Sequence, residues 1–168
     1  LSLGFIQAGF SVEKAVEYDP VIANTYQRNH PEVDVIVDDI KNIDTSDMFA
    51  GTTADVIIGG PPCQAYSLAG RAKLRSLGDD RENIRDARGY LYQDFLRFVY
   101  ELDARAVIME NVPESTNFGD MNIPEIVCGS LTKHGYKAYW TVLNSADFGV
   151  PQLRERVFVF AIKETVDG

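Results

Sequence analysis

Short apolar runs and helix-period segments take turns along this chain, and that alternation restricts its architecture more than any other feature. Ala54 to Ile58 and Ala106 to Met109 read as strands, and between them Tyr90 to Leu102 carries Leu91, Phe95, Phe98, Val99 and Leu102 at helical spacing. The same reading predicts a helix front over Leu3 to Ala8 stopped by Gly9, and a strand from Lys14 to Glu17. A helix over Pro20 to Asn29, with Pro20 in its permitted first turn, precedes a strand from Val33 to Val37. Pro124 to His134 forms a last helix with Gly135 as its C-cap, and Tyr136 to Leu143 and Val157 to Ile162 form an antiparallel pair at one edge. Strands separated by helices in this way imply an α/β fold with a doubly wound, mostly parallel sheet and an antiparallel edge strand.

Composition sets the surroundings. At 168 residues and 45% hydrophobic content the chain suffices for one domain with a core. Two cysteines make no disulfide framework, and no apolar run approaches the ~18 residues of a membrane span; a reducing, aqueous setting without membrane contact is expected. The chain opens at Leu1-Ser2-Leu3-Gly4 without a methionine or a leader and reads as part of a longer protein. Its net charge of −9 argues against a free-standing nucleic-acid binder. One segment opposes that trend: Ala65 to Arg88 holds six basic residues (Arg71, Lys73, Arg75, Arg81, Arg85, Arg88) against four acidic ones (Asp79, Asp80, Glu82, Asp86).

In a doubly wound sheet, ligands gather at the carboxyl ends of the strands. There the sequence puts Glu17-Tyr18-Asp19, Asp38-Asp39-Ile40, Pro61-Pro62-Cys63-Gln64 and Glu110-Asn111-Val112-Pro113. A carboxylate ending a strand can accept hydrogen bonds from both hydroxyls of a ribose, and Glu17 lies downstream of Gly4 and the helix it opens; strand-end acids also serve plain solubility. Cys63 follows Gly59-Gly60, which lets backbone approach a ligand, and Pro61-Pro62, which limits chain freedom ahead of the sulfur. That construction suits a nucleophile. Cys128, at helical spacing among Val127 and Leu131, reads as core. Gln152, Arg154 and Arg156 alternate, so an extended segment would turn all three to one face. No metal-ligand cluster stands out.

Gly-Gly-Pro-Pro-Cys-Gln (59–64), Glu-Asn-Val-Pro (110–113) and Asn-Ser-Ala-Asp-Phe-Gly-Val-Pro-Gln-Leu-Arg-Glu-Arg-Val-Phe (144–158), in that order, resemble the motifs of the DNA cytosine-C5 methyltransferases. The likeness runs along essentially the whole chain. It implies a Rossmann-like methyltransferase fold, with residues 1–168 a truncated catalytic and cofactor-binding domain. Cys63 would be the nucleophile, Glu110 the group acting at cytosine N3, Arg156 the contact to the cytosine carbonyl, Arg154 a supporting contact, and Gln64 a residue at the root of a mobile active-site loop over Ala65 to Arg88. The cofactor would be S-adenosylmethionine, leaving as S-adenosylhomocysteine. Gly4 would belong to its first motif, Glu17 would meet the ribose, Tyr18 stack by the adenine, Asp39 take the adenine amino group, and Ile40, Pro61 and Leu91 line the pocket.

By the same resemblance the partner is a DNA duplex with a flipped cytosine, held through the 65–88 loop and a recognition region after Gly168. The family's first strand and glycine loop would precede Leu1. The protein would be monomeric or completed by the rest of its own chain, and at work in a bacterial cytoplasm beside the nucleoid, or in a nucleus if eukaryotic. A relative methylating tRNA by the same chemistry and a non-catalytic S-adenosylmethionine-binding module are the alternatives. A nicotinamide dehydrogenase would have no use for the cysteine motif.

Overall fold

The computed structural model describes residues 1–49, 53–61, 91–117 and 121–164. Its contacts gather into two compact units, Leu1–Thr52 and Thr53–Gly168.

In the first unit, α1 (Ser2–Gln7) leads to β1 (Lys14–Glu17), α2 (Pro20–Asn29), β2 (Asp34–Val37) and the short α3 (Thr45–Met48). Asp19 starts α2: its Oδ1 accepts from the amides of Val21 at 2.8 Å and Ile22 at 3.3 Å, while Pro20 occupies a position that needs no donor. β1 and β2 pair in parallel, Lys14 opposite Asp34 and Glu17 opposite Val37, with a Lys14–Asp34 ion pair across the first rung. Gln27 Nε2 donates to the carbonyl of Val33 at 2.9 Å and so ties the end of α2 to the entry of β2. Among the described residues of this unit, Ala23, Val33, Ile43 and Phe49 are the buried apolar ones.

The second unit is a four-stranded sheet in the order β3-β4-β6-β5, built from β3 (Val56–Gly59), β4 (Ala106–Asn111), β5 (Tyr136–Asn144) and β6 (Glu155–Lys163). Helices α4 (Leu91–Glu101) and α5 (Ile123–Lys133) cover one face. Alternate residues of the inner strands turn to that face: Val107 and Met109 from β4, Val157 and Val159 from β6, all 0% exposed. Each such side chain contributes about 1.5–3 kcal/mol by leaving water. Against them lie Phe95 and Val99 of α4 and Val127 and Leu131 of α5. Asn122 caps α5 by accepting from Glu125 N at 3.1 Å, and Gly135, at φ +81, carries the chain out of the helix in the left-handed region.

Two expectations change. β4 runs on through Glu110 and Asn111 instead of ending at Met109, because β6 continues the ladder, Glu110 opposite Phe158 and Asn111 opposite Val157. The expected antiparallel pair does form one edge of the sheet: β5 is outermost, and β6, antiparallel to both β4 and β5, lies between them. Val-Phe-Val-Phe-Ala-Ile is apolar on both faces, as an interior strand requires. Last, α1 begins at Ser2, so Gly4 lies in its first turn and does not open it.

Candidate active site

β3 and β4 are parallel neighbours, with Gly59 opposite Met109 as the last pair of their ladder. One residue beyond, Gly60 comes beside Glu110. A Cβ on Gly60 would stand 3.0 Å from Glu110 Oε2, so the carboxylate occupies the room a side chain would take. Gly59 faces the other way: a Cβ there would stand 2.7 Å from the ring of buried Phe95. The two glycines therefore admit different neighbours, the helix on one side and the carboxylate on the other.

Glu110 alternates out of the core between Met109 and Asn111 and shares its face of the sheet with Phe158 and, two residues along β6, Arg156. Arg156 Nε lies 2.8 Å from Glu110 Oε1, with the two side chains 23% and 28% exposed. Arg156 Nη1 also donates to the carbonyl of Glu155 at 2.7 Å. The outcome is a half-buried carboxylate, oriented by a guanidinium that retains donor capacity. Asn111, directly after Glu110, is 4% exposed; its Oδ1 accepts from Val112 N at 2.8 Å and its Nδ2 donates to the carbonyl of Pro61 at 3.4 Å. The sequence reading gave Asn111 no role of its own, and its signal was a polar residue on the face of β4 that Val107 and Met109 make apolar.

The β5–β6 turn is organised by Asn144, whose Oδ1 accepts from the amides of Ala146 at 3.1 Å and Arg154 at 3.2 Å. Gly149 takes φ +82 in that turn. Because β6 starts at Glu155, the extended segment expected to turn Gln152, Arg154 and Arg156 to one face does not reach Gln152, which stands in a bend with its backbone N–H donating to Val150 O at 2.7 Å; exposed Arg154 lies just before the strand. Only Arg156 is aimed by the pleat. Cys63, Gln64 and the 65–88 segment lie outside the described residues.

In the first unit, β1 and β2 end side by side, which brings Glu17 and Tyr18 to the same sheet edge as Asp39 and Ile40. Glu17 Oε1 accepts from Asp19 N at 3.1 Å, Asp39 Oδ1 accepts from Lys41 N at 3.0 Å, and Tyr18 is 73% exposed. Two oriented carboxylates beside an uncovered aromatic ring fit the hydroxyls, exocyclic amine and flat face of an adenosine group. Gly4 in α1 has open space around it among the described residues. In the second unit Pro61 and Leu91, the first residue of α4, are half-buried.

Cys128 is buried in α5, and burial together with the nearby Glu125 carboxylate pushes its thiol up to about 11. Among the described residues no group of three or more His, Cys, Asp or Glu is placed to hold a metal, and no helix is long and apolar enough to cross a membrane.

The family model for the C-5 cytosine-specific DNA methylase matches residues 1–167. A candidate type II methyltransferase of Oceanobacillus iheyensis, M.OihORF3336P, is 45% identical over 174 residues, covering 99% of this chain and 38% of the relative. The type II methyltransferase M.AquIA of Picosynechococcus is 38% identical over 172 residues, covering 95% of this chain and 66% of its own length. Among solved structures, a candidate DNA modification methyltransferase from an E. coli prophage superposes with a TM-score of 0.76 at 30% identity, over 96% of this chain and 43% of the other. The chain thus spans less than two thirds of the curated relatives it matches.

Proposed function

The chain belongs to the C-5 cytosine-specific DNA methylase family, and from that premise we propose that the complete protein methylates C5 of cytosine in DNA, with Cys63 as nucleophile and Glu110 and Arg156 as the groups that hold the base. The observation that carries this reading is the Glu110 carboxylate set between Gly60 and Arg156, at the head of the strand-end segment that leads to Cys63.

C5 of cytosine is a weak nucleophile, so the ring must first be activated. The Cys63 thiolate forms a bond to C6, and the displaced electron pair makes C5 enamine-like. Glu110 eases that addition by a hydrogen bond or proton to N3, where the ring takes up charge. Arg156, a planar donor already aligned on Glu110, is suited to hold the adjacent carbonyl oxygen while keeping the carboxyl group in place. Once C5 carries its methyl group, a base removes the C5 proton; the electrons restore the C5–C6 double bond and the thiolate leaves.

S-adenosylmethionine, when bound, supplies the electrophilic methyl. Glu17, Tyr18, Asp39 and Ile40 would hold its adenosine part, with Gly4 in the first motif. A cytosine stacked in a duplex is out of reach of a thiol at a sheet edge, so the base is read as flipped out of the helix. The basic residues between Ala65 and Arg88 are suited to its phosphates, and Gln64 and Arg154 to supporting contacts. The type II relatives favour a modification enzyme of the bacterial cytoplasm.

DNA carrying 5-fluorocytosine at the target site tests this, because fluorine at C5 cannot leave as a proton does. The full-length protein should form a stable adduct with such DNA and S-adenosylmethionine, and Cys63→Ser should form none. An adduct in Cys63→Ser, or transfer of tritiated methyl to tRNA and not to DNA, overturns the reading.

A further inference from the structure

Asn111 is the polar residue on the buried face of β4, where Val107 and Met109 are its counterparts. At 4% exposure its amide must find partners within the protein. One bond is local, from Val112 N to Oδ1 at 2.8 Å. The other crosses to the neighbouring strand end, from Nδ2 to the carbonyl of Pro61 at 3.4 Å.

The crossing bond stands where backbone pairing gives out. The β3–β4 ladder closes with Gly59 opposite Met109, and the next residues after Gly60 are Pro61 and Pro62, neither of which has an N–H to donate. A parallel strand that loses its donors would part from its neighbour. Here a side-chain amide of β4 ties the segment in another way, by donating to the carbonyl that Pro61 retains. On the opposite face of the same strand end, the bare Cα of Gly60 lies against Glu110 Oε2. The segment entering Cys63 is thus tied to β4 by Asn111 and seated against Glu110 through Gly60.

We infer that Asn111 is a positioning residue, whose side-chain amide ties the strand end through the carbonyl of Pro61 where Pro61 and Pro62 have no N–H to give the ladder, and so sets how the chain approaching Cys63 stands against Glu110. Its effect on the reaction rests on the proposed role of Cys63; its effect on the strand end does not.

Asn111→Asp separates the two bonds, since a carboxylate still accepts from Val112 N but has no donor for Pro61. In the full-length protein two quantities are read: hydrogen exchange of a peptide spanning residues 56–64, with one spanning 125–133 as control, and the rate of adduct formation on 5-fluorocytosine DNA. Exchange in 56–64 should quicken about three- to tenfold with the control unmoved. Adduct formation should slow about ten- to a hundredfold at unchanged S-adenosylmethionine affinity. Unchanged exchange in 56–64, or equal acceleration in both peptides, overturns the inference. Selective acceleration in a protein that forms no adduct even with Asn111 intact upholds the tie and removes the nucleophile assignment instead.

Discussion

Arg156 Nε meets Glu110 Oε1 at 2.8 Å across two antiparallel strands, although the two residues are far apart in the chain. The contact joins a donor and an acid on one face of the sheet, and the proposed action of the two on one base rests on it.

Replacing Glu110 by Gln keeps the shape of the side chain and removes its acidity. Methyl transfer by the full-length protein should fall by about two to four orders of magnitude, as expected when general acid help is lost. Cofactor affinity, measured by calorimetry, should be nearly unaltered; a parallel loss of cofactor binding would give Glu110 a different role.

The adjacent glycines should respond differently to the same change. Gly59→Ala drives a methyl into the buried ring of Phe95 and should destabilise the fold by about 1–3 kcal/mol. Gly60→Ala meets the Glu110 carboxylate instead, so thermal melting should move less while methyl transfer falls by about tenfold or more. Melting and activity on the two variants decide it; equal losses of stability would refute the division of labour.

Tyr18 is uncovered beside Glu17, and Tyr18→Ala should weaken S-adenosylmethionine binding in the full-length protein by about tenfold through lost stacking. Glu17→Gln should also weaken it, by loss of charged acceptors for the ribose. Neither change should slow methyl transfer at saturating cofactor, which steady-state kinetics would report. A fall in kcat at unchanged cofactor KM would move both residues out of the binding role.

The Cys128 thiol, with its proton held up to about 11, should resist alkylation at pH 7.5, and its labelling should climb only as pH rises toward that value. The unfolded chain releases the same proton near pH 9.0, so the group favours the folded state below that pH, and its contribution is lost as pH rises from 9.0 to about 11. Mass spectrometry after brief iodoacetamide treatment would read this. Ready labelling of Cys128 at pH 7.5 in the folded protein would contradict its burial.

Much of this was legible in the sequence. Pro20 to Asn29 is a helix to the residue, because Asp19-Pro20 is a start signal written in local chemistry, and Lys14–Glu17 is likewise a strand with its acid at the end. Glu110 could be singled out because it stands at a strand end within a motif, and Cys63 because two glycines and two prolines precede it. What no local pattern contains is which strands become neighbours. β6 is apolar on both faces, but that pattern does not say which strand it pairs with; its pairing with β4 lengthens β4 by two rungs and carries Arg156 to Glu110. The separate tasks of Gly59 and Gly60 and the reach of Asn111 to Pro61 have the same origin. Helix starts, strand periods and motif chemistry are properties of a few successive residues, so the sequence by itself determined them; distances between residues far apart in the chain depend on the order in which strands exclude water together, and tertiary structure alone decided those.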